Sequence, residues 1–189
     1  MDEKEASAPD ENSEKGGLWE FVKIVIISLL IVLPIRAFVA QPFIVSGASM
    51  EPNFDNGEYL IVDELSYILR EPERQEVIIF HYPVNPAEFF IKRIIGMPGE
   101  TVVVKGGKVE IKNAAGELRT LEEAYLPKNF ETAPDSSTVL KEDEYFVLGD
   151  NRSQSSDSRF WGPVKKEKIV GRAFLRLWPV TKLGFIKKG

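Results

Sequence analysis

The 189 residues predict a mainly β fold, an antiparallel β domain preceded by a single N-terminal transmembrane helix. Three observations carry that expectation. Apolar or alternating runs of strand length recur between turn signals from residue 58 onward. Twelve Phe and twelve Pro suit strands and turns better than a helical bundle. One apolar run without charge, Ile24–Ile35, stands apart near the N-terminus.

Residues 1–17 hold six acids, two lysines and no large apolar side chain besides Met1. Such a segment buries too little surface to offset its ordering entropy, so it reads as a disordered acidic tail. The run Ile24–Ile35 is short for a span, which needs ~20 residues. Its flanks extend it. Leu18, Trp19, Phe21 and Val22 precede it, and Ala37, Phe38, Val39 and Ala40 follow. Lys23 and Arg36 can snorkel along their own stems. Residues 18–40 then make ~34 Å of helix, enough for a hydrocarbon core of ~30 Å. Pro34 should kink its last turn. A cleaved secretory signal would need a basic start and a small-x-small site, and this start is acidic. Lys4, Lys15 and Lys23 precede the centre of the span and only Arg36 closely follows it. That bias places the tail in the cytoplasm and residues 41–189 outside the plasma (inner) membrane.

Beyond the span, strands are expected at 58–63, 76–82, 89–96, 101–105, 108–112, 144–149 and 170–178. Lys105-Gly106-Gly107-Lys108 between two β-branched runs is a two-residue hairpin signal. Residues 113–143 are richer in charge, Pro and Ser. They read as a loop-rich insertion with a short helix at 121–125.

Composition removes whole classes of function. The chain has no cysteine, which excludes disulfides, zinc ribbons, iron–sulfur clusters and thiol catalysis. One histidine, His81, cannot furnish a Cys/His metal site, so no metal or cofactor is expected. A net charge of −5 argues against nucleic acid as a partner.

Three segments carry possible chemistry. Ser46-Gly47-Ala48-Ser49-Met50-Glu51-Pro52 forms a bend that can expose a hydroxyl, though such loops are common. In Phe89–Gly96, strand alternation puts Phe90, Lys92 and Ile94 on one face and Arg93 on the other. A lysine between Phe and Ile is compatible with an exposed edge. If it is buried it loses its proton more easily, as a lysine general base must. Gly149–Arg159 packs four serines, two acids and two arginines into one loop after an apolar strand. Alone, that loop could be a hydrated turn held by its own ion pairs.

Taken together and in this order after one membrane anchor, the three segments resemble the bacterial signal peptidase I family, the membrane-bound Ser-Lys leader peptidases. Gly47, Ser49, Met50 and Pro52 meet its GxSMxP pattern. Lys92, Arg93, Gly96, Pro98 and Gly99 meet its lysine box, and Gly149–Arg159 meets its G-D-N-R-x-x-S-x-D-S-R loop without a gap. The ending GRAFLRLWP at 171–179 is also similar. The resemblance implies that Ser49 is the nucleophile and Lys92 the general base. It further implies that the Ser155 hydroxyl holds the lysine amine, that Asp157–Arg159 and Arg93–Asp150 are structural ion pairs, and that Met50 lines the substrate pocket.

The residue chemistry agrees: a serine hydroxyl needs an adjacent base, and lysine is the base available. The Ser49 N–H is the natural first oxyanion donor. Gly47 stands where some relatives place a hydroxyl, which leaves the second donor unassigned. Asn53 stands where Thr is usual and Phe54 where Leu is usual, departures that touch packing around the loop. The activity so implied is removal of signal peptides from exported preproteins after small residues, at a lipid bilayer, by a monomer. A self-cleaving repressor-type Ser-Lys protease would carry a helical DNA-binding domain where this chain has its span. An inactive membrane-tethered β module would leave Ser49, Lys92 and Ser155 together without a reason.

Overall fold

The computed structural model describes residues 11–38, 41–128 and 130–189. It divides into two compact units, residues 1–38 and 39–189. The first unit contains one helix, α1 (Glu11–Phe38, 28 residues). It begins seven residues ahead of Leu18, so the expected disordered tail is helical from Glu11 onward; residues 1–10, and residues 39–40 of the expected span, lie outside the described residues. Once a helix is nucleated, each added residue brings one hydrogen bond, which lets α1 run back beyond its apolar part. The side chains described from Trp19 to Val32 are exposed. Among the described residues, no helix is long and apolar enough to cross a membrane.

The second unit is built from antiparallel sheets. Its strands are β1 (Gln41–Ile44), β2 (Tyr59–Asp63), β3 (Val77–His81), β4 (Phe89–Gly96), β5 (Thr101–Lys105), β6 (Lys108–Lys112), β7 (Leu118–Thr120), β8 (Ser136–Val139), β9 (Glu144–Leu148), β10 (Val164–Lys165), β11 (Ile169–Trp178) and β12 (Gly184–Phe185). Two short helices, α2 (Ser66–Leu69) and α3 (Ser158–Trp161), lie in the connections. The larger sheet has the order β1-β2-β11-β3-β4-β9-β10, with β12 on β11. The smaller has the order β7-β6-β5-β8.

The central strands are buried on both faces, which is why they read as continuous apolar runs. Val77 and Ile79 of β3 pack with Val45, Met50, Phe54, Leu60, Val62 and Ala173. Their neighbours Ile78 and Phe80 turn the other way, toward Ile94, Tyr145, Val147 and Val164. A third cluster joins the sheets, with Ile95, Phe146 and Leu148 against Val102, Val104, Val109 and Ile111. The β5–β6 hairpin turns through Gly106 and Gly107, both at positive φ (56° and 80°), the conformation a type I′ turn requires.

Three expectations need correction. The stretch 113–143 is not only a loop-rich insertion, because β7 and β8 are the two edges of the smaller sheet. Five of their seven residues are polar, and the two apolar ones, Leu118 and Val139, are exposed, so they show no buried apolar alternation. No helix forms at 121–125. That segment is a turn whose Leu121 and Tyr125 pack on the third cluster. Strand β1 falls ahead of residue 58, where no strand was expected. Pro42 within it removes a ladder donor, which an edge strand tolerates.

Candidate active site

Ser49 sits in a tight turn after β1. Glu51 N–H bonds the Ala48 carbonyl at 3.2 Å, and Asn53 and Phe54 N–H bond the Met50 carbonyl at 3.1 and 3.0 Å. Asn151 clamps the turn from outside, its N–H on the Ser49 carbonyl at 3.0 Å and its side-chain amide on the Ala48 carbonyl at 3.1 Å. The Ser49 N–H has no backbone partner among the described residues. It is therefore free to donate elsewhere.

Strand β4 delivers Lys92. Its Nζ lies 2.8 Å from Ser49 Oγ and donates to the Ile91 carbonyl at 2.9 Å. The residue is 4% exposed, and its ammonium lies 5.2 Å from the centre of the Phe90 ring. Burial pushes its pKa down from 10.5 to about 8, against the opposing pull of Asp157 and Asp150. Alternation along β4 works as expected. Phe90 and Ile94 belong to one cluster, while Arg93 points away and lies 4.0 Å from the centre of the Tyr125 ring.

Arg93 is held by Asp150 through two parallel bonds, Nε to Oδ1 at 2.8 Å and Nη2 to Oδ2 at 2.6 Å. Arg159 and Asp157 make a second such pair, at 2.8 Å for both bonds. All four side chains are at most 4% exposed, so each charge depends on its partner. Asp157 also accepts from the Gly149 N–H at 3.1 Å and caps α3 through the Arg159 N–H. A Cβ at Gly149 would lie 2.2 Å from Ser155 Oγ and 2.4 Å from the Ser49 carbonyl oxygen. Only glycine allows this approach of the loop to the nucleophile.

Two expected roles are placed differently. Ser155 is buried beside the site, but its Oγ has no hydrogen-bond partner among the described residues; the second contact of the amine is the Ile91 carbonyl. Met50 is not among the residues that line the cleft holding Ser49 and Lys92. It follows Ser49 in the turn and points inward, fully buried among Val45, Phe54 and Leu60. His81 is structural, its ring on Phe89 and its Nδ1 2.8 Å from the Pro86 carbonyl.

A cleft of about 400 Å³ contains Ser49 and Lys92. One wall is Phe43–Ser46 from β1 and the turn, and the other is Glu88–Lys92. Both walls offer backbone. Strand β1 pairs only with β2, and β9 pairs β4 only at Arg93, Ile94 and Gly96. Sequence reasoning did not find Asn151, the Ile91 carbonyl or the β1 wall. Asn151 lies inside a segment already singled out, but its role depends on where the chain folds back. Among the described residues no cluster could hold a metal ion.

Comparison with known proteins identifies the family. Residues 18–178 match the family model described as signal peptidase, peptidase S26. The chain is 38% identical to the probable signal peptidase I-2 of Synechocystis, over 97% of this chain and 82% of that protein. It is 40% identical to the signal peptidase I of Leptolyngbya laminosa, over 95% and 87%. It is 31% identical to the signal peptidase I of Pseudomonas fluorescens, over 84% and 72%. A serine, a depressed lysine and two buried ion pairs thus stand in a chain matched along most of its length, and it belongs to the signal peptidase S26 family of serine proteases.

Proposed function

We propose that the chain is a membrane-anchored endopeptidase that removes signal peptides from exported preproteins, with Ser49 as nucleophile and Lys92 as general base. The observation that carries the reading is the 2.8 Å approach of Lys92 Nζ to Ser49 Oγ on the apolar face of β4. A pKa near 8 makes the amine neutral in a useful fraction of molecules at neutral to mildly alkaline pH. The neutral amine takes the hydroxyl proton as Oγ attacks the scissile carbonyl. The Ser49 N–H faces the developing oxyanion. The ammonium then returns its proton to the leaving amine, and the neutral lysine activates the water that releases the acyl-enzyme. Arg93–Asp150 and Asp157–Arg159 hold the strand and loop that carry this chemistry.

An extended substrate fits the cleft as an added strand, bonded to the free edges of β1 and β4. The expected preference is for small residues before the cut, as in signal peptides. Anchorage by residues 18–40 is supported by the charge-free run Ile24–Ile35 and the apolar residues on either side of it. The basic residues preceding that run favour a cytoplasmic N-terminus and an extracytoplasmic β unit.

Cleavage of a purified preprotein in detergent tests the proposal. The wild type should release the mature chain, and Ser49→Ala and Lys92→Ala should not. Turnover by either variant would sink the dyad.

A further inference from the structure

We propose that Asn53 is a positioning residue of the proteolytic site: its carboxamide ties the turn carrying Ser49 to the carboxylate that holds Arg93, the neighbour of Lys92. The inference deepens the Ser49–Lys92 reading and rests on it.

Asn53 uses both amide hydrogens and both backbone groups. Nδ2 donates to Asp150 Oδ2 at 2.8 Å and to the Tyr125 carbonyl at 3.0 Å. Its own N–H closes the nucleophile turn on Met50, and its carbonyl accepts from Arg176 Nη2 at 2.6 Å. Four segments remote in sequence therefore meet at one residue: the turn, the Gly149–Arg159 loop, the β7–β8 connection and β11. Arg176 is itself fixed, with Nε 2.8 Å from Glu58 and its guanidinium 5.0 Å from the centre of the Phe54 ring.

Asn151 holds only the leading half of the turn, at Ala48 and Ser49. The trailing half, from Met50 onward, is held by Asn53. Asp150 is shared between this amide and Arg93, so the same oxygen that orients β4 beside Lys92 also orients the turn that presents Ser49. A planar amide supplies two donors in fixed directions. Threonine could supply one, alanine none. Aspartate would keep the shape but set a second carboxylate against Asp150.

The test is steady-state cleavage of a soluble peptide by full-length Asn53→Ala, Asn53→Asp and Asn53→Thr, on the alkaline plateau and corrected for folded fraction by denaturant unfolding. Because a slight misplacement of the nucleophile costs turnover steeply, Asn53→Ala and Asn53→Asp should lower kcat by about 10- to 100-fold and change KM by less than about 3-fold. Asn53→Thr should recover most of the loss. A residue that only supports folding would lower the folded fraction and leave kcat per folded molecule intact. The inference is overturned if kcat of Asn53→Ala stays within about 2-fold of wild type, or if Asn53→Thr is no better than Asn53→Ala. If Asn53→Asp does not fold, the alanine and threonine variants decide alone. Turnover by Ser49→Ala would instead overturn the dyad, a separate failure that these variants cannot mimic.

Discussion

Lys92 and Arg93 are adjacent cations on one strand, each almost wholly buried, and the two faces of β4 treat them in opposite ways. Arg93 meets a carboxylate in two-point contact and keeps its charge in place. Lys92 meets the Phe90 ring, a hydroxyl and a carbonyl, and no carboxylate among the described residues is in hydrogen-bond contact with it. An arginine cannot shed its proton in a protein, so burial forces it to find a partner. A lysine can, so burial without a partner turns it into a base. The same desolvation therefore yields a fixed strut on one face and a reactive amine on the other.

The comparison can be broken at several points. The largest effect is expected at the reactive face. Ser49→Ala and Lys92→Ala should each cut turnover by more than ~10³-fold, and the double variant should be no worse, because the two act as a unit. Additive losses in a peptide cleavage assay would show that they do not.

On the other face, Asp150→Asn leaves Arg93 charged, buried and short of its counter-ion. Loss of one partner from such a pair should cost roughly 3–5 kcal/mol of stability, read as a lower urea midpoint at unchanged slope. Asp157→Asn should behave alike. Unchanged midpoints would mean that the guanidinium groups find other acceptors.

Lys92→Met should do the reverse. Below pH 8 the lysine is charged in the folded and unfolded chain alike, and the fold bears the full cost of burying it. Between pH 8 and 10.5 the folded state releases the proton while the unfolded state keeps it, so wild-type stability rises with pH. The inactive Lys92→Met should be more stable than wild type at pH 7 by up to about 3 kcal/mol, a gain that fades as pH climbs to 10.5. A constant difference across that window would contradict the depressed lysine. Turnover of the wild type should rise with pH to a plateau, with an apparent pKa near 8.

The smallest effect is expected at Ser155, whose buried Oγ has no partner among the described residues. Ser155→Ala should leave the melting temperature within a few degrees and retain part of the activity. A loss as deep as that of Lys92→Ala would show that the hydroxyl reaches the amine during turnover.

The sequence by itself determined a good deal. The bounds of β4, β5 and β6 follow from runs of β-branched and aromatic residues between glycine turns, because local patterning and turn chemistry suffice there. The opposite facing of Lys92 and Arg93 follows from strand alternation alone. Ser49 and Lys92 are marked by the resemblance of three short segments to the signal peptidase I family, and the composition, with no cysteine and one histidine, is compatible with that pair. Tertiary structure decided the rest. Strands β1, β7 and β8 are edges whose pairing comes from a neighbour rather than from their own apolar face. Met50 is core and not pocket, because which way a turn residue points depends on what packs beneath it. The amide contacts of Asn53 and Asn151 join residues 72 to 103 positions apart, and no local pattern encodes a distance of that kind. The depressed basicity of Lys92 is likewise a property of the assembled interior, since desolvation arises only when distant segments close over one amine.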